Sequence, residues 1–391
     1  MSDPHDATVA VYDAAADSWV DRRIPDLNAA REFAGWVSGS TGSAGARLVD
    51  LGCGPGWHLD SLGPDTIAMD ASASMLGHAA RRAPGSSMVL GDLRALPFSD
   101  RSFDGAWAER SLVHLDRRAV PLALWDLHRI LRVGAGVHLG LFEGDEDHVT
   151  IEGDDTPGRW FSAWPESLLR AVLEGAGMHV EMVRRSGAGE VDRFTVRAHR
   201  LRTLADTVGP GMRLLLVGLN PSLVAADAGV GFHRAGNRAW PALREAELAT
   251  CDRDPRHLLV VDRVGMTDLV KLPSARADVL SATQYMHGVA RLDRLCAWLR
   301  PSAVCVLGLS GWRMAVDPDA SPGPQRRVLG GRPVYLMPNP SGANAHVTMG
   351  DLVAHLRAAA QLADDTAQLA DDTAQLADDT GVRPDSPGAS A

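Results

Sequence analysis

Short apolar runs alternate with amphipathic stretches along most of this chain, and the spacing changes little until the last thirty or so residues. In the first 200 residues, seven strand-like runs begin near Arg47, Thr66, Met88, Asp104, Gly136, Met178 and Arg193. Helical patterns separate them. One, over 122–131, is followed by Arg132 and then Gly134, a basic residue and a glycine placed as a helix stop. Such alternation predicts an α/β domain with a doubly wound, mostly parallel sheet. Beyond residue 211 the strand-like runs are 213–218, 258–261, 303–308 and 333–337, and the stretch 284–299 places Val289, Leu292, Leu295, Cys296 and Leu299 at helical spacing, as a crossover helix would. A second, smaller α/β/α domain with a four-stranded parallel sheet is expected.

The expected organisation is therefore a domain over 1–200, a linker over 201–211 containing Gly209-Pro210-Gly211, a second domain over 212–359, and a tail over 360–391. The tail carries three copies of Ala-Gln-Leu-Ala-Asp-Asp-Thr between 360 and 380. One leucine per seven residues cannot form a coiled-coil seam, which needs two, so a frayed helix or disorder is expected there.

Charge distinguishes the parts more sharply than the total of −10 does: residues 1–211 carry −9, residues 212–360 carry +5, and the tail carries −6. Only the second domain has the sign suited to a nucleic-acid partner; the acidic tail should repel one. Cys53, Cys251, Cys296 and Cys305 show no paired ligand spacing, so neither zinc nor an iron–sulfur cluster is expected, and no metal is predicted. With no secretion signal and no apolar run of membrane-spanning length, no membrane partner and a cytoplasmic, nucleoid-associated location are expected. Lys271 is the sole lysine among 39 Lys and Arg residues.

Two turns carry the candidate chemistry of the second domain. Gly218-Leu219-Asn220-Pro221 follows the apolar run Leu214-Leu215-Leu216-Val217, and Asn339-Pro340-Ser341-Gly342 follows Val334-Tyr335-Leu336-Met337. Ligands of open α/β sheets collect beyond the carboxyl ends of the strands, so the two turns should meet at one crevice. With Gly229-Val230-Gly231-Phe232, Asn237-Arg238-Ala239-Trp240 and Val264-Gly265-Met266-Thr267, these segments resemble the mismatch-specific uracil/thymine DNA glycosylases over roughly 212–356.

The resemblance implies a flipped-base pocket. Asn220 would hold the attacking water as the catalytic residue, Phe232 would stack on the base, and Leu219 would offer a backbone N–H to its edge. Asn339, Ser341, Gly342, Ala343 and Asn344 would form the turn that enters the helix and binds phosphate. Asn237 and Trp240 would fix the loop. An amide is no general base, so a slow enzyme that relies on positioning and on backbone donors is implied. Ser222 stands where the family usually has glycine, which would narrow the base pocket against the thymine methyl and favour uracil. Ala343-Asn344-Ala345 replaces the family's leucine and arginine plug, leaving Asn344 or His346 to read the opposite base. The implied partner is double-stranded DNA with a G:U, or possibly G:T, mismatch, and no cofactor is implied for this domain.

Upstream, Leu48-Val49-Asp50-Leu51-Gly52-Cys53-Gly54-Pro55-Gly56 runs a strand into a glycine-rich turn, and Asp70 closes the next strand. By itself that fingerprint suits a dinucleotide equally. Gly91-Asp92-Leu93, Asp104, Ser111-Leu112-Val113-His114 and Ile130-Leu131-Arg132 decide between them: together they resemble class I S-adenosylmethionine-dependent methyltransferases, whose fold has seven strands with the last two close in sequence. The resemblance implies S-adenosylmethionine as cofactor, held by Asp50, Gly52, Gly54, Gly56, Asp70, Asp92 and Leu93. Asp50 would take its amino end, Asp70 the ribose hydroxyls and Asp92 the adenine amine. Tyr12, Asp13 and Trp19 would belong to a lid helix, Trp57 and Trp107 would face the sulfonium or fill the core, and His114 or His138 is a candidate base. Val133-Gly134-Ala135-Gly136 departs from the family's proline and paired glycines. An Asn/Asp-Pro-Pro-aromatic turn and a Pro-Cys pair are both absent, which disfavours methylation of DNA bases and leaves the acceptor unknown.

Two readings follow. In one, a uracil-DNA glycosylase of base excision repair is fused to a methyltransferase. In the other, a small-molecule methyltransferase carries a catalytically idle DNA-binding appendage.

Overall fold

The computed structural model describes residues 3–22, 26–41, 45–186, 193–275, 279–342, 344 and 346–380. The chain divides into two compact units, Met1–Gly209 and Pro210–Ala391.

The first unit opens with α1 (Pro4–Asp21) and α2 (Asn28–Thr41). There follow β1 (Leu48–Leu51), α3 (Leu59–Leu62), β2 (Ile67–Asp70), α4 (Ala73–Arg82), β3 (Met88–Leu90) and β4 (Phe103–Glu109). The unit closes with α5 (Val120–Ile130), β5 (Leu131–Glu143), β6 (Val149–Thr150), β7 (Trp160–Phe161), β8 (Ala163–Trp164), α6 (Glu166–Gly175), β9 (Met178–Ser186) and β10 (Arg193–Arg200). An eight-stranded sheet runs β3-β2-β1-β4-β5-β10-β9, with β8 beside β5 and β10 antiparallel to both neighbours. All seven expected strands are present; the additional two-residue strands β6, β7 and β8 are too short to leave a period in the sequence. Helix α5 buries Val120, Ala123, Leu124, Leu127 and Ile130, the i, i+3, i+4, i+7 stripe that turns one face to the sheet. Strand order reverses between β1 and β4, and such a reversal opens a crevice at the carboxyl ends of the strands.

The second unit contains β11 (Leu214–Gly218), α7 (Leu223–Ala228), α8 (Ala239–Glu245), α9 (Pro255–Val260) and β12 (Val264–Asp268). It continues with α10 (Ala282–Leu299), β13 (Ala303–Leu307), α11 (Leu309–Ala315), β14 (Gly323–Pro324), β15 (Val334–Met337) and α12 (Met349–Thr380). The sheet runs β12-β11-β13-β15-β14: four parallel strands plus a two-residue antiparallel edge. Three of the four expected strands coincide with β11, β13 and β15.

The fourth does not. Residues 258–261 fall largely in α9, because the Asp254 side chain accepts from the His257 N–H and Pro255 occupies the first turn, a capped helix start that outweighs a short apolar run. Leu258 and Leu259 face the core, while Val260 and Val261 are exposed. The real strand is β12, buried at every position, and it ends on a carboxylate, Asp268.

The acidic repeats are helical as far as Thr380, as a continuation of α12. The first copy is integral to the unit. Ala360 and Ala363 are buried, and Arg213 on the sheet side grips Asp364 with two hydrogen bonds of 2.7 Å. Leu369, one repeat on, is exposed. Among the described residues no helix is long and apolar enough to cross a membrane.

Candidate functional site

Each unit brings its expected residues to the carboxyl ends of its central strands. In the first, β1 ends at Leu51 and the chain turns through Gly52, Gly54 and Gly56, all at positive φ. A side chain at Gly52 would place its Cβ 2.3 Å from that of Ser111, so this glycine is a packing requirement. At Gly54 nothing lies within 4 Å, leaving the backbone open to close approach. The Asp70 carboxylate ends β2 and accepts from the Gly54 and Ser72 N–H groups, both at 2.8 Å, which ties the glycine turn to the second strand. Burial pushes its pKa up; those backbone donors oppose the shift without cancelling it.

Asp50 is buried in the middle of β1, and its pKa is raised well above the carboxylate range, by burial first and then by the charges of Asp70 and Glu109. Its Oδ2 has no hydrogen-bonding partner among the described residues. A buried, orphaned carboxylate oxygen is costly, and a cationic donor from a ligand would satisfy it.

Helix α1 lies over this crevice. Asp13 accepts from the Ser72 hydroxyl (2.6 Å) and the Ser74 N–H (3.0 Å), clipping the helix to the start of α4. Trp19 stacks on Trp57 with centroids 4.9 Å apart. Tyr12 lies within 2.9 Å of His114 Nε2 and accepts from Arg159 at 3.0 Å. Because His114 Nδ1 is 2.8 Å from the Trp160 carbonyl, which can only accept, Nδ1 carries the proton and Nε2 accepts from the tyrosine hydroxyl. Burial lowers the pKa of this imidazole to about 4. Both nitrogens are committed, so His114 is a neutral strut holding the lid rather than a free base.

His138 is buried too, stacked on the core residue Trp107 at 3.6 Å and bonded to Glu109 Oε2 at 2.8 Å. The partly exposed member of that pair is Glu109, at the carboxyl end of β4. Burial pushes its pKa up, but the bond to and charge of His138 bring it below the usual carboxylate value.

Asp92 departs from its expected availability. Arg94 holds it through the backbone N–H (2.7 Å), Nε (2.9 Å) and Nη2 (2.7 Å), and His5 of α1 stands 3.5 Å away. Its acceptor positions are largely spent on Arg94, which also donates to Asp3 and Asp6 of the α1 segment, so an adenine amine would have to displace Arg94 or His5. Leu93 beside it is buried.

In the second unit, Gly218 ends β11 and the motif follows it directly. Asn220 donates through Nδ2 to the Ser274 hydroxyl (2.7 Å), the Leu272 carbonyl (3.0 Å) and the Pro221 carbonyl (3.3 Å). The two N–H groups of Nδ2, shared among these three acceptors, fix the amide's orientation and leave Oδ1 to accept. Phe232 is held at φ 57°, a left-handed conformation that costs a bulky residue of order 1–3 kcal/mol and clusters at functional positions. Its ring tip lies 3.5 Å from the point where a Gly218 Cβ would be, and the partly buried ring also packs on the unit's hydrophobic core. Leu219 is buried, its side chain against Gly308.

The second turn stands close by: Asn339 Nδ2 lies 3.3 Å from the Cβ position of Gly308, where Leu219 also packs. Asn339 Oδ1 accepts from the Ser341 N–H at 2.8 Å. Gly342 is pressed against the Gly236 carbonyl, 2.6 Å from its own Cβ position. Arg238 spans the turn, donating to the Ser341 (3.2 Å), Asn344 (2.9 Å) and Val347 carbonyls, and the Asn344 amide donates to Asn339 O at 3.2 Å. Trp240 donates to the Gly231 carbonyl at 2.8 Å, fixing the Phe232 loop from beneath. Ser222 caps α7, its hydroxyl accepting from the Ala225 N–H at 3.1 Å; that role occupies the group expected to line the pocket. Ala343 lies outside the described residues.

Asp268 is the residue the sequence reading missed. It ends β12 in register with Gly218, is 5% exposed, and its Oδ1 is 2.4 Å from the Gly218 Cβ position. The available signal was the carboxylate at the end of the apolar stretch 264–267, hidden by placing the strand at 258–261. A cavity of about 420 Å³ lined by Val289, Trp312, Asp317 and Arg326 shares no residue with either motif.

Residues 48–134 match the family model described as a methyltransferase domain, and residues 205–362 match that of the uracil DNA glycosylase superfamily. Similar solved structures include the 1,6-didemethyltoxoflavin-N1-methyltransferase of Burkholderia thailandensis (20% identity, 51% of this chain and 92% of that one, TM-score 0.39). They also include the magnesium protoporphyrin IX methyltransferase of Synechocystis PCC 6803 (14%, 51% and 98%, TM-score 0.40) and a methyltransferase from Methanosarcina mazei (18%, 40% and 92%, TM-score 0.37).

Proposed function

Since the chain carries a methyltransferase domain followed by a domain of the uracil DNA glycosylase superfamily, we propose that it is a uracil-DNA glycosylase acting on G:U mismatches in base excision repair, fused to an S-adenosylmethionine-dependent methyltransferase. The observation that carries the glycosylase half is the locked Asn220 amide two residues beyond Gly218, whose Cβ position the ring tip of the strained Phe232 reaches. Nδ2 is spent on Leu272 and Ser274, so Oδ1 is presented as a water acceptor at the strand end.

A base extruded from the duplex stacks on Phe232, an interaction of about 1–3 kcal/mol. Asn220 orients the water, and backbone N–H groups near Leu219 meet the negative charge that the departing base acquires. The Asn339–Gly342 turn, braced by Arg238, meets the strand from which the base has left. The +5 charge of residues 212–360 supplies the attraction to phosphate. Incubating the full chain with a labelled G:U duplex, then alkaline cleavage, tests this. Abasic product is expected, and Asn220→Ala should abolish it; no product at large enzyme excess refutes the reading.

For the methyltransferase half, the residues present fit the cofactor. The orphaned Asp50 Oδ2 suits its amino group, the open face of Gly54 suits close approach, and Asp70, fixed by Gly54 and Ser72, suits the ribose hydroxyls. Bound there, the cofactor would supply an electrophilic methyl group, and the protein's work is to hold the acceptor in line and exclude water under α1. A thermal shift with S-adenosylhomocysteine that is lost in Asp70→Ala is expected; no shift in the wild type counts against it.

A further inference from the structure

The crevice of the first unit holds a third carboxyl group beside Asp50 and Asp70. Glu109 is the last residue of β4, the strand that meets β1 where the strand order reverses. Trp107, two residues earlier, pairs in register with Asp50, and the charge of Glu109 is one cause of the raised Asp50 pKa, after burial and Asp70. From the glycine turn comes His58, two residues beyond Gly56, its ring 5.3 Å from that of Trp107 and its charge one of those acting on Glu109. Glu109 therefore stands between β1 and the glycine turn, where a bound ligand would enter.

Its place is fixed from behind. His138 Nε2 is 2.8 Å from Oε2, Arg110 Nε is 3.2 Å from Oε1, and both oxygens fill the space above Gly140, the residue paired in register with Glu109 on β5. His138 is buried in its stack on Trp107, whereas a quarter of the Glu109 side chain (25%) stays exposed. Burial raises the Glu109 pKa, but His138 first, and then Arg110 and His58, bring it below the usual carboxylate value, so the group is ionised at neutral pH. A carboxylate has about four lone-pair positions, more than these two contacts use.

A crevice with three carboxyl groups, opposed by Arg110 and the two imidazoles, suits a cationic ligand. S-adenosylmethionine has two cationic centres, an ammonium and a sulfonium; S-adenosylhomocysteine keeps only the ammonium. The orphaned Asp50 Oδ2 suits the ammonium, and Asp70 is tied to the Gly54 and Ser72 N–H groups. Glu109 is the carboxylate left for the second charge.

We propose that Glu109, braced by His138, meets the sulfonium and makes the site select the charged methyl donor over the uncharged thioether left after transfer; this deepens the methyltransferase reading above and rests on it. Glu109 is then a specificity residue of the cofactor site, and His138 is the positioning residue behind it. Selectivity of this kind is a difference between two affinities, so it is read as a ratio.

The test is calorimetry on the full chain at pH 7.5 with three ligands: S-adenosylmethionine, sinefungin, which carries an amine in place of the S-methyl group, and S-adenosylhomocysteine. Glu109→Gln should weaken the two cationic ligands about tenfold and S-adenosylhomocysteine by less than about twofold. Arg110 sits at φ 57°, which asparagine tolerates, so Arg110→Asn removes the competing cation at little backbone cost. It should move the ratio the opposite way, favouring the cationic ligands by about threefold. Equal weakening of all three ligands in Glu109→Gln, or no weakening of any, overturns the proposal. Should the glutamine variant fail to fold, an unmoved ratio in Arg110→Asn overturns it. A wild type that binds none of the three overturns the cofactor site itself, a distinct result.

Discussion

Replacing Asn220 by aspartate, which would put a carboxylate where the amide now stands, is expected to damage the site rather than improve it. The reason is the direction of the existing hydrogen bonds. All three contacts of the side chain run from the two N–H groups of Nδ2, which Ser274 Oγ at 2.7 Å and the Leu272 and Pro221 carbonyls at 3.0 and 3.3 Å share. A carboxylate has nothing to donate, so the Leu272 carbonyl loses its partner and faces an anion.

Losing the donors and stranding the acceptor costs about 1–3 kcal/mol. Asn220→Ala bears that cost alone; Asn220→Asp adds the repulsion between a carboxylate and oriented carbonyls, roughly another 1 kcal/mol near the surface. Urea unfolding at pH 7.5 should rank wild type above alanine above aspartate. The charged form is disfavoured in the folded state, so the new carboxyl has a raised folded pKa. Relative stability is then fully present below the unfolded value near 3.9 and is lost as pH rises through the folded one. The gap between the two variants should accordingly close in acid. Excision by Asn220→Asp should not exceed wild type. An aspartate variant as stable as wild type at pH 7.5, or a faster one, would show that the amide orientation is not what the loop at 272–274 fixes.

Other consequences can be checked independently. His114 is buried neutral with a pKa near 4. The unfolded chain, with its imidazole near 6.5, takes up a proton first on acidification, so up to about 3 kcal/mol of stability present above pH 6.5 is lost as pH falls toward 4. Thermal unfolding of His114→Gln should lack that part of the acid slope. Gly218→Ala pushes a methyl into Asp268 Oδ1 and toward the Phe232 ring tip; it should lower both the melting temperature and the excision rate. Truncation after residue 373 should leave the melting temperature unchanged, whereas truncation after 359 removes buried Ala360 and Ala363 and the Asp364 partner of Arg213 and should lower it measurably. His5→Ala should free one face of Asp92 and tighten S-adenosylhomocysteine binding, as read by calorimetry.

Much of the architecture was legible because parallel strands buried on both faces leave continuous apolar runs, and Leu214–Gly218 or Ala303–Leu307 admit few other readings. The exception has a physical cause. Leu258 to Val261 is as apolar as a strand, and only Asp254-Pro255, a cap followed by a first-turn proline, marks it as a helix. Missing that cap displaced the strand by six residues and hid Asp268.

Turn glycines and asparagines were readable because each meets a local backbone demand. What a side chain does with its remaining acceptors was not: Asp92 is absorbed by Arg94 and His5, His114 by Tyr12 and Trp160, and Ser222 by the start of α7, all contacts set by tertiary packing. The tail illustrates the same limit: its copies are identical in sequence, yet Ala360 and Ala363 of the first are buried while Leu369 of the second is exposed.

The central claim is that the crevice between Asn220 and Phe232 receives an everted uracil. A crystal structure of the full chain with a duplex carrying 2′-fluoro-2′-deoxyuridine opposite guanine tests it without depending on turnover. The account predicts the uracil ring stacked on Phe232, its sugar beside Asn220 Oδ1, and the Asn339–Gly342 turn at the vacated position. A uracil still paired within the helix, with Phe232 and Asn220 untouched by DNA, would contradict it.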